Sequence, residues 1–264
     1  MKKSITLVFL LGLSLKLSAQ EANLTPKADL VTDRPDATES PTTVSVGSLQ
    51  VETGAFTTTF EENEFKEEVF GYNTTLLRYG ILNNLELRVG WNFEEVQTTT
   101  NGIESNDVAS GFSPLLFGAK VAIAKENEWF PEIGLIGHIF LPFTASSDFK
   151  PEFTSADFRF AFNHTLSERS GIAYNIGGQL GGETAAFSYI YTFVYGYAIT
   201  GRLGAYVELY GDLPEDSSAN HFWDAGLTYT IAPLVQLDAT IGQSITDGQD
   251  LLLAVGVSFR IDKK

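Results

Sequence analysis

Acidic and basic side chains alternate with apolar ones along several stretches of this chain. Glu86 and Arg88 stand two positions apart, and so do Asp157 and Arg159. Because successive residues of a strand point to opposite faces, the members of each pair share one face. Such a face is either wetted by water or neutralised by partners. Two roles follow: a charge-lined path that selects solutes, or a packed network of ion pairs.

The same reasoning places many charged side chains on the polar faces of predicted strands, where we expect them to line the interior of a barrel. They are Glu52, Arg78, Glu86, Arg88, Glu94, Lys120, Glu132, Asp157, Arg159, Glu183, Glu208, Asp224, Asp238 and Arg260. Acidic residues outnumber basic ones in this set, so a wet lumen would favour cations or neutral solutes.

Catalytic and metal-binding patterns are missing from the sequence. The three histidines, His138, His164 and His221, fall on three different predicted strands, and none forms an H-E-x-x-H pair. There is no G-x-S-x-G nucleophile motif and no P-loop. We therefore predict no catalytic residue, no metal site and no cofactor. A lipid hydrolase built on His164 or His221 near a barrel rim is left as the third hypothesis for function.

An acidic run, Glu61-Glu62-Asn63-Glu64-Phe65-Lys66-Glu67-Glu68, lies between the first two predicted strands. Its simplest interpretation is a solvated loop. Binding of divalent cations at the cell surface is the alternative, although the spacing is not that of an EF-hand.

The elements that carry these side chains are twelve runs of alternating apolar and polar residues. They cover about 48–60, 69–81, 85–96, 112–124, 130–143, 153–166, 171–183, 187–199, 203–212, 221–231, 234–245 and 251–261. The run at 69–81 alternates poorly, which indicates a bulge, and the tyrosine-rich run at 187–199 is compatible with either facing. Each run is long enough for a tilted strand to cross a membrane.

Short connections alternate with mostly longer ones along the chain. This order is typical of a barrel with short periplasmic turns and longer outer loops. We therefore predict an all-β fold, a transmembrane antiparallel up-and-down β-barrel of about twelve strands, over residues 47–261. A soluble sandwich is the alternative, because each barrel strand by itself gives a weak signal.

The N-terminus predicts export. A basic start, a short apolar run and a small-residue site ending at Ala19 are typical of a secretory signal peptide over residues 1–19, with an N-terminal membrane anchor as the alternative. An irregular periplasmic leader over residues 20–46 and a tail over 262–264 complete the predicted domains. The net charge of −16 argues against a nucleic-acid partner, and the lack of cysteine excludes disulfides.

The leader contains a polar stretch, Thr32–Pro41, with two prolines that exclude a helix interior. An even strand count places Asp33, Arg34 and Asp36 at the periplasmic mouth of the barrel. Arg34 could pair with lumen acids such as Glu52 or Asp238, which would make the leader a plug or latch. The alternative is a solvated linker.

This stretch, with Gln50-Val51-Glu52-Thr53-Gly54 after it, resembles the start of a family of outer-membrane transporters labelled for the MetA pathway of phenol degradation. The final Val255-Gly256-Val257-Ser258-Phe259-Arg260 is similar to the closing strand of that family. The resemblance implies an outer-membrane barrel with a transport role and no catalytic residues. The same superfamily is similar to the export channel for functional amyloid, but this leader is too short for that channel's helical domain.

These observations predict a channel in the outer membrane of a Gram-negative bacterium, with a Bacteroidetes-like signal peptide, exported by the Sec pathway. Small solutes would pass by diffusion, and the resemblance implies small hydrophobic or aromatic compounds. A structural or surface-binding barrel with a closed lumen is the second hypothesis. Expected partners are outer-membrane lipid, lipopolysaccharide and the barrel-assembly machinery.

Overall fold

The computed structural model describes residues 29–263. It is a closed antiparallel β-barrel with twelve strand positions around its circumference, which we call walls, and it confirms the predicted fold class. The predicted signal peptide lies outside the described residues. The strands are β1 (Leu49–Glu62), β2 (Phe65–Leu82), β3 (Leu85–Trp91), β4 (Phe93–Thr100), β5 (Ile103–Glu104), β6 (Ala109–Phe112), β7 (Leu115–Ala124), β8 (Glu132–Leu141), β9 (Ser155–Ser167), β10 (Ser170–Leu180), β11 (Phe187–Ala198), β12 (Leu203–Pro214), β13 (Asn220–Ala232), β14 (Val235–Ser244) and β15 (Leu251–Ile261). Two short 3₁₀ helices, Pro142–Thr144 and Ser147–Phe149, follow β8.

Closure of the barrel depends on β1, which pairs with β2 on one side and with β15 on the other. Two walls consist of two strands each. β3 and β4 are separated only by Asn92, and β6 and β7 only by Ser113 and Pro114. The short strand β5 pairs with β4 beyond these walls. Within residues 29–263, no helix is long and apolar enough to cross a membrane.

The two faces of each wall differ as the alternation predicts. The outward Val255 is 58% exposed, whereas the inward Arg78 is fully buried. The tyrosine-rich strand β11 also has a defined facing: Tyr189 and Tyr195 point outward, and Thr192 is buried inside. An apolar surface around the whole barrel is what a lipid-facing wall requires.

Both ends of the barrel chain lie at one rim, which we call the short-turn end. The opposite rim, the long-loop end, carries the β4–β5–β6 extension. The acidic run 61–68 differs from the predicted open loop. β1 and β2 continue through it as a hairpin, and Asn63 in the two-residue turn has a φ of 55°, a conformation that asparagine tolerates.

Candidate functional site

The leader lies inside the barrel. Its described part, residues 29–46, enters from the short-turn end, turns inside the lumen and returns to join β1 at the same rim. Hydrogen bonds join it to eleven of the twelve walls. On the remaining wall, β13, Asp224 acts electrostatically on Asp36 of the leader. The leader therefore extends across the lumen in the half of the barrel next to the short-turn end.

Asp33 is the centre of the strongest charge cluster. Its carboxylate accepts hydrogen bonds from the ammonium of Lys120 at 2.7 and 2.9 Å and from Nη1 of Arg88 at 2.8 Å, and Nη1 of Arg78 lies 3.1 Å away. Burial raises the pKa of Asp33, but Arg78, Lys120 and Arg88 more than offset this effect and hold that pKa well below its ordinary range. One leader carboxylate is thus bound by three basic side chains from three walls.

Arg78 on β2 contacts carboxylates of the barrel wall and two separate parts of the leader. Its guanidinium lies 2.9 Å from Oε1 of Glu52 and 2.8 Å from Oε1 of Glu86. It also donates to the carbonyl oxygen of Val31 at 3.2 Å and to that of Thr42 at 2.9 Å. Because all of these groups are buried, removing Arg78 would leave several polar partners without compensation.

Arg34 contacts the neighbouring group of strands, β14, β15, β1 and β2. Its Nη2 donates to Oδ1 of Asp238 at 3.0 Å, and the Asp238 side chain is fully buried. The guanidinium lies directly over Gly54 and Gly256, where any side chain would collide with it. Glycine at these two facing positions of β1 and β15 therefore makes room for the leader.

The tip and the return limb of the leader contact β9 to β12. The backbone N–H of Ala37 donates to Glu208 at 2.7 Å, and the Thr38 hydroxyl contacts Glu208 and, at 2.7 Å, Thr192. The backbone N–H of Glu39 donates to Oδ1 of Asn175 at 2.8 Å. These bonds hold the leader by its backbone as well as by its charges.

Asp36 lies at the tip among other acids. Burial raises its pKa well above the ordinary value, and the neighbouring charges of Glu208 and Asp224 raise it further. One oxygen of Asp224 is buried without a hydrogen-bond partner. The tip of the leader is therefore held against like charges, in contrast to Asp33 and Arg34.

The other predicted lumen residues lie mostly on the same inner face. Glu132 accepts a hydrogen bond from Thr42 at 3.2 Å, Arg159 donates to the Ala37 carbonyl at 3.3 Å, and Arg260 donates to the Asp29 carbonyl at 2.9 Å. Asp157 contacts Nδ1 of His138 at 2.9 Å. Only Glu183 leaves the barrel wall, because it lies exposed in the connection after β10.

Two features of this site differ from the sequence-based expectation or were missed by it. Asp33, Arg34 and Asp36 lie inside the lumen rather than at its mouth. Neutral partners of the leader, Asn175 and Thr192, were not selected, because a polar residue on an inward face carries no signal of its own.

The lumen toward the long-loop end has a different character. Inward positions toward the long-loop end combine polar side chains, among them Asp157, Gln179 and Asp212, with apolar and aromatic ones. The apolar and aromatic ones are Phe56, Leu76, Leu116, Phe140, Ile190, Tyr210, Phe222 and Leu252. The rings of Tyr210 and Phe222 are stacked with centroids 5.1 Å apart. The interior thus gains apolar and aromatic side chains toward the long-loop end.

The histidines make contacts that do not resemble a hydrolase site. His164 lies 3.4 Å from the Tyr174 hydroxyl and His221 lies 2.7 Å from the Tyr191 hydroxyl. Across residues 29–263, no histidine is hydrogen-bonded to a serine side chain, and no group of three potential ligands is arranged to hold a metal ion.

Comparison with known proteins agrees with this architecture. Residues 32–261 match the model of the family described as "Putative MetA-pathway of phenol degradation". No curated protein matches the chain.

Solved structures share the fold at low sequence identity. An outer membrane channel from Pseudomonas putida F1 superposes with a TM-score of 0.66 at 14% identity, over 83% of this chain and 97% of that one. The translocator domain of the autotransporter NalP from Neisseria meningitidis gives 0.52 at 8% identity, over 83% and 90%. The NanC porin gives 0.50 at 12% identity, over 81% and 100%.

Proposed function

This chain belongs to the phenol-degradation MetA family, and on that premise we propose that it is an outer-membrane channel for the passive passage of small solutes. The similarity to a channel and a porin supports this role. The observation that carries the proposal is the division of the lumen: a leader bound by ion pairs narrows one half, and apolar and aromatic side chains contribute to the lining of the other.

Narrowing of the lumen by the leader favours small, weakly hydrated solutes over ions. A hydrated ion passing the leader would have to compete with buried ion pairs such as Asp33–Lys120. An uncharged, largely apolar molecule gains free energy when it leaves water for apolar side chains such as Phe140 and Phe222 on the inner face of the barrel. Small hydrophobic or aromatic compounds are therefore the solute class, and they move by diffusion without a cofactor.

The proposed location follows from the same features. The apolar outer wall would be surrounded by outer-membrane lipid and lipopolysaccharide. Residues 1–19 would direct export through the Sec pathway of a Gram-negative bacterium of the Bacteroidetes type, and the barrel-assembly machinery would insert the chain. The short-turn end, with the leader, would then face the periplasm.

Two measurements on refolded protein test the channel. In planar bilayers we expect small, steady currents, because the leader narrows the lumen without removing it. In liposomes, a neutral aromatic solute should enter faster than a sugar of similar size. No current at any voltage together with no protein-dependent entry of either solute would contradict the proposal.

A closed structural barrel is the second candidate. The hydrogen bonds between the leader and eleven walls favour it, because so many contacts oppose release of the leader. In that case the protein would act through its outer hairpins. Both measurements above would then give no signal, even after a substitution that weakens the contacts between the leader and the barrel.

A further inference from the structure

The leader does not occupy the short-turn half of the lumen evenly. On the side of β2, β3 and β7, large side chains such as Arg78, Glu86 and Lys120 are fully buried against it. On the side of β10 to β13, inward positions near the short-turn end carry side chains no larger than valine. These positions are Gly171, Ala173, Val194, Gly196 and Thr228. Such small side chains leave space between the leader and this part of the barrel.

That space is a cavity of about 450 Å³, which we call the short-turn cavity. Exposed residues of the turn between β9 and β10, Glu168 and Arg169, line its outer end. Asp36 and Tyr206 line it beside the tip of the leader. A Cβ added at Gly196 would meet nothing within 4 Å, so no protein atom fills the cavity there. A small molecule can therefore reach the leader tip from the short-turn end.

Two further carboxylates lie next to Asp36. Glu208 and Asp224 face each other on β12 and β13 and are only 1% and 2% exposed. Both act electrostatically on Asp36. Glu208 accepts a hydrogen bond from the backbone N–H of Ala37 at 2.7 Å, but Oδ1 of Asp224 is buried without a hydrogen-bond partner. The inner end of the cavity thus lies against three acids, one of them incompletely bonded.

The basic side chains nearby are bound to other groups. Arg34 forms its ion pair with Asp238 at 3.0 Å, and Arg159 donates to the Ala37 carbonyl at 3.3 Å. Among residues 29–263, no basic nitrogen lies within 4.0 Å of a carboxylate oxygen of Asp36, Glu208 or Asp224. Because buried charges need compensation, a cation that enters the cavity would find a favourable site.

We propose that the short-turn cavity binds a small polar molecule with an ammonium group, whose charge compensates Asp36, Glu208 and Asp224. An ammonium group has three donors and no acceptor, which suits a site rich in carboxylate oxygens. A metal ion suits it less, since no group of three potential ligands in the described chain is arranged to hold one.

The rest of the ligand would also be polar. The side chains of Asn163, Thr228 and Gln236 line the cavity and can exchange hydrogen bonds with hydroxyl groups. The volume accommodates a molecule the size of a monosaccharide. The ligand class is therefore a hydrophilic primary amine, such as an amino sugar, and it differs from the neutral solutes proposed to pass through the channel.

Glucosamine is the probe, and glucose is its matched control because it carries a hydroxyl in place of the ammonium. Each sugar is titrated at neutral pH into folded protein in detergent micelles, and ligand-observed NMR gives its dissociation constant. We expect glucosamine to bind at least about tenfold more tightly than glucose, because hydrogen bonds between charged groups are the stronger ones.

Two variants test the assignment of the site. Asp36→Asn keeps the size of the side chain and removes its charge, and Gly196→Leu fills the cavity without changing any charge. Both should lose most of the affinity for glucosamine. Asp29→Asn, at the exposed start of the described leader, and Gly201→Leu, in the exposed turn between β11 and β12, are the controls. A Cβ at Gly201 also meets nothing within 4 Å, so this control matches Gly196→Leu. Heat-modifiable gel migration verifies that each variant folds.

Two results would overturn the proposal. If glucosamine binds the unaltered protein no more tightly than glucose, protons and not a ligand compensate the three acids. If folded Asp36→Asn and Gly196→Leu both keep the affinity of the unaltered protein, glucosamine binds elsewhere. Neither result bears on the channel, which the bilayer and liposome measurements test separately.

Discussion

The two halves of the lumen have different linings, although the same strands form both. Toward the short-turn end, Arg78, Arg88 and Lys120 are fully or almost fully buried and are matched by carboxylates of the wall and of the leader. Toward the long-loop end, the inward positions of these strands carry side chains such as Leu76 and Leu116. The inner faces of β2 and β7 therefore change from charged to apolar along their length.

The difference teaches where selectivity resides. Charges on an inner wall do not by themselves indicate a path for ions, because here the leader neutralises them. The leader supplies Asp33 where the wall is basic and Arg34 where the wall is acidic. Under the proposed function, the half with the leader would exclude ions and the half toward the long-loop end would admit solutes.

The largest effect on stability is expected from Arg78→Met. The change would leave the buried carboxylates of Glu52 and Glu86 without their main partner and cost about 3–5 kcal/mol. Urea-dependent unfolding from lipid vesicles measures this cost. Lys66→Met is the control, because the partly exposed Lys66–Glu68 pair on the outer hairpin contributes about 0–1 kcal/mol. Equal costs for the two variants would mean that the inner network is not tightly buried.

The facing of the last strand provides the next test. Leu253→Arg and Val255→Arg put a charge on the outer face and should each cost about 2–4 kcal/mol. Ala254 points inward between Phe56 and Thr240, so Ala254→Arg should cost less because its side chain can reach water in the lumen. The same unfolding assay applies, and three equal costs would show that the inside and outside of β15 are assigned wrongly.

Removal of one leader contact has a smaller expected cost. Arg34→Ala leaves Asp238 buried without its partner, which should cost about 1–3 kcal/mol and raise the current. Gly256→Leu should reproduce the higher current, because a side chain there would displace the same guanidinium. Single-channel recording measures both variants. If current and stability are unchanged in both variants, the Arg34 contact does not limit passage, and the leader is only a linker that lies in the lumen.

The dependence of leader docking on pH is the mildest prediction. The pKa of Asp36 is raised in the docked state, so docking is strongest below the ordinary aspartate value of about 3.9 and weakens as pH rises toward the raised value. The pKa of Asp33 is lowered, so its contribution persists throughout this window and is lost only at lower pH.

Currents recorded from acidic to alkaline pH should therefore rise with pH in the unaltered protein. Asp36→Asn should flatten this rise, because the amide cannot ionise next to Glu208. Asp29→Asn, at the exposed start of the described leader, is the control and should keep it. A steeper rise in Asp36→Asn than in the unaltered protein would contradict the arrangement of charges at the tip.

Much of this fold was predictable because alternation determines which face of a strand is buried. The twelve runs, the short turns and the inward set from Glu52 to Arg260 follow from that single rule. The hairpin at Glu61–Glu68 was not predicted, because a strand that extends beyond the membrane can be acidic on both faces, and such a sequence is also typical of a solvated loop. The break at Asn92 was hidden because the alternating pattern continues on both sides of it.

The leader shows the limit of sequence reasoning more sharply. Arg34 was expected to meet Glu52 or Asp238, since an arginine beside an acidic lumen has few other partners, and in the structure it meets Asp238. The ion pairs of Asp33 with Arg78, Arg88 and Lys120 could not be predicted, because they depend on how deeply the leader is inserted into the lumen. Depth is set by contacts to the leader backbone, such as those of Glu208, which leave no trace in the composition.

The central claim is that the leader, and not the barrel wall, limits passage along the axis. Single-channel conductance of the protein lacking residues 29–44, compared with the unaltered protein in the same bilayer, tests it most directly. Heat-modifiable migration first verifies that the shortened chain folds. We predict a several-fold larger steady conductance without the leader. Equal conductance in the two folded proteins would contradict the account, because the barrel itself would then set the resistance.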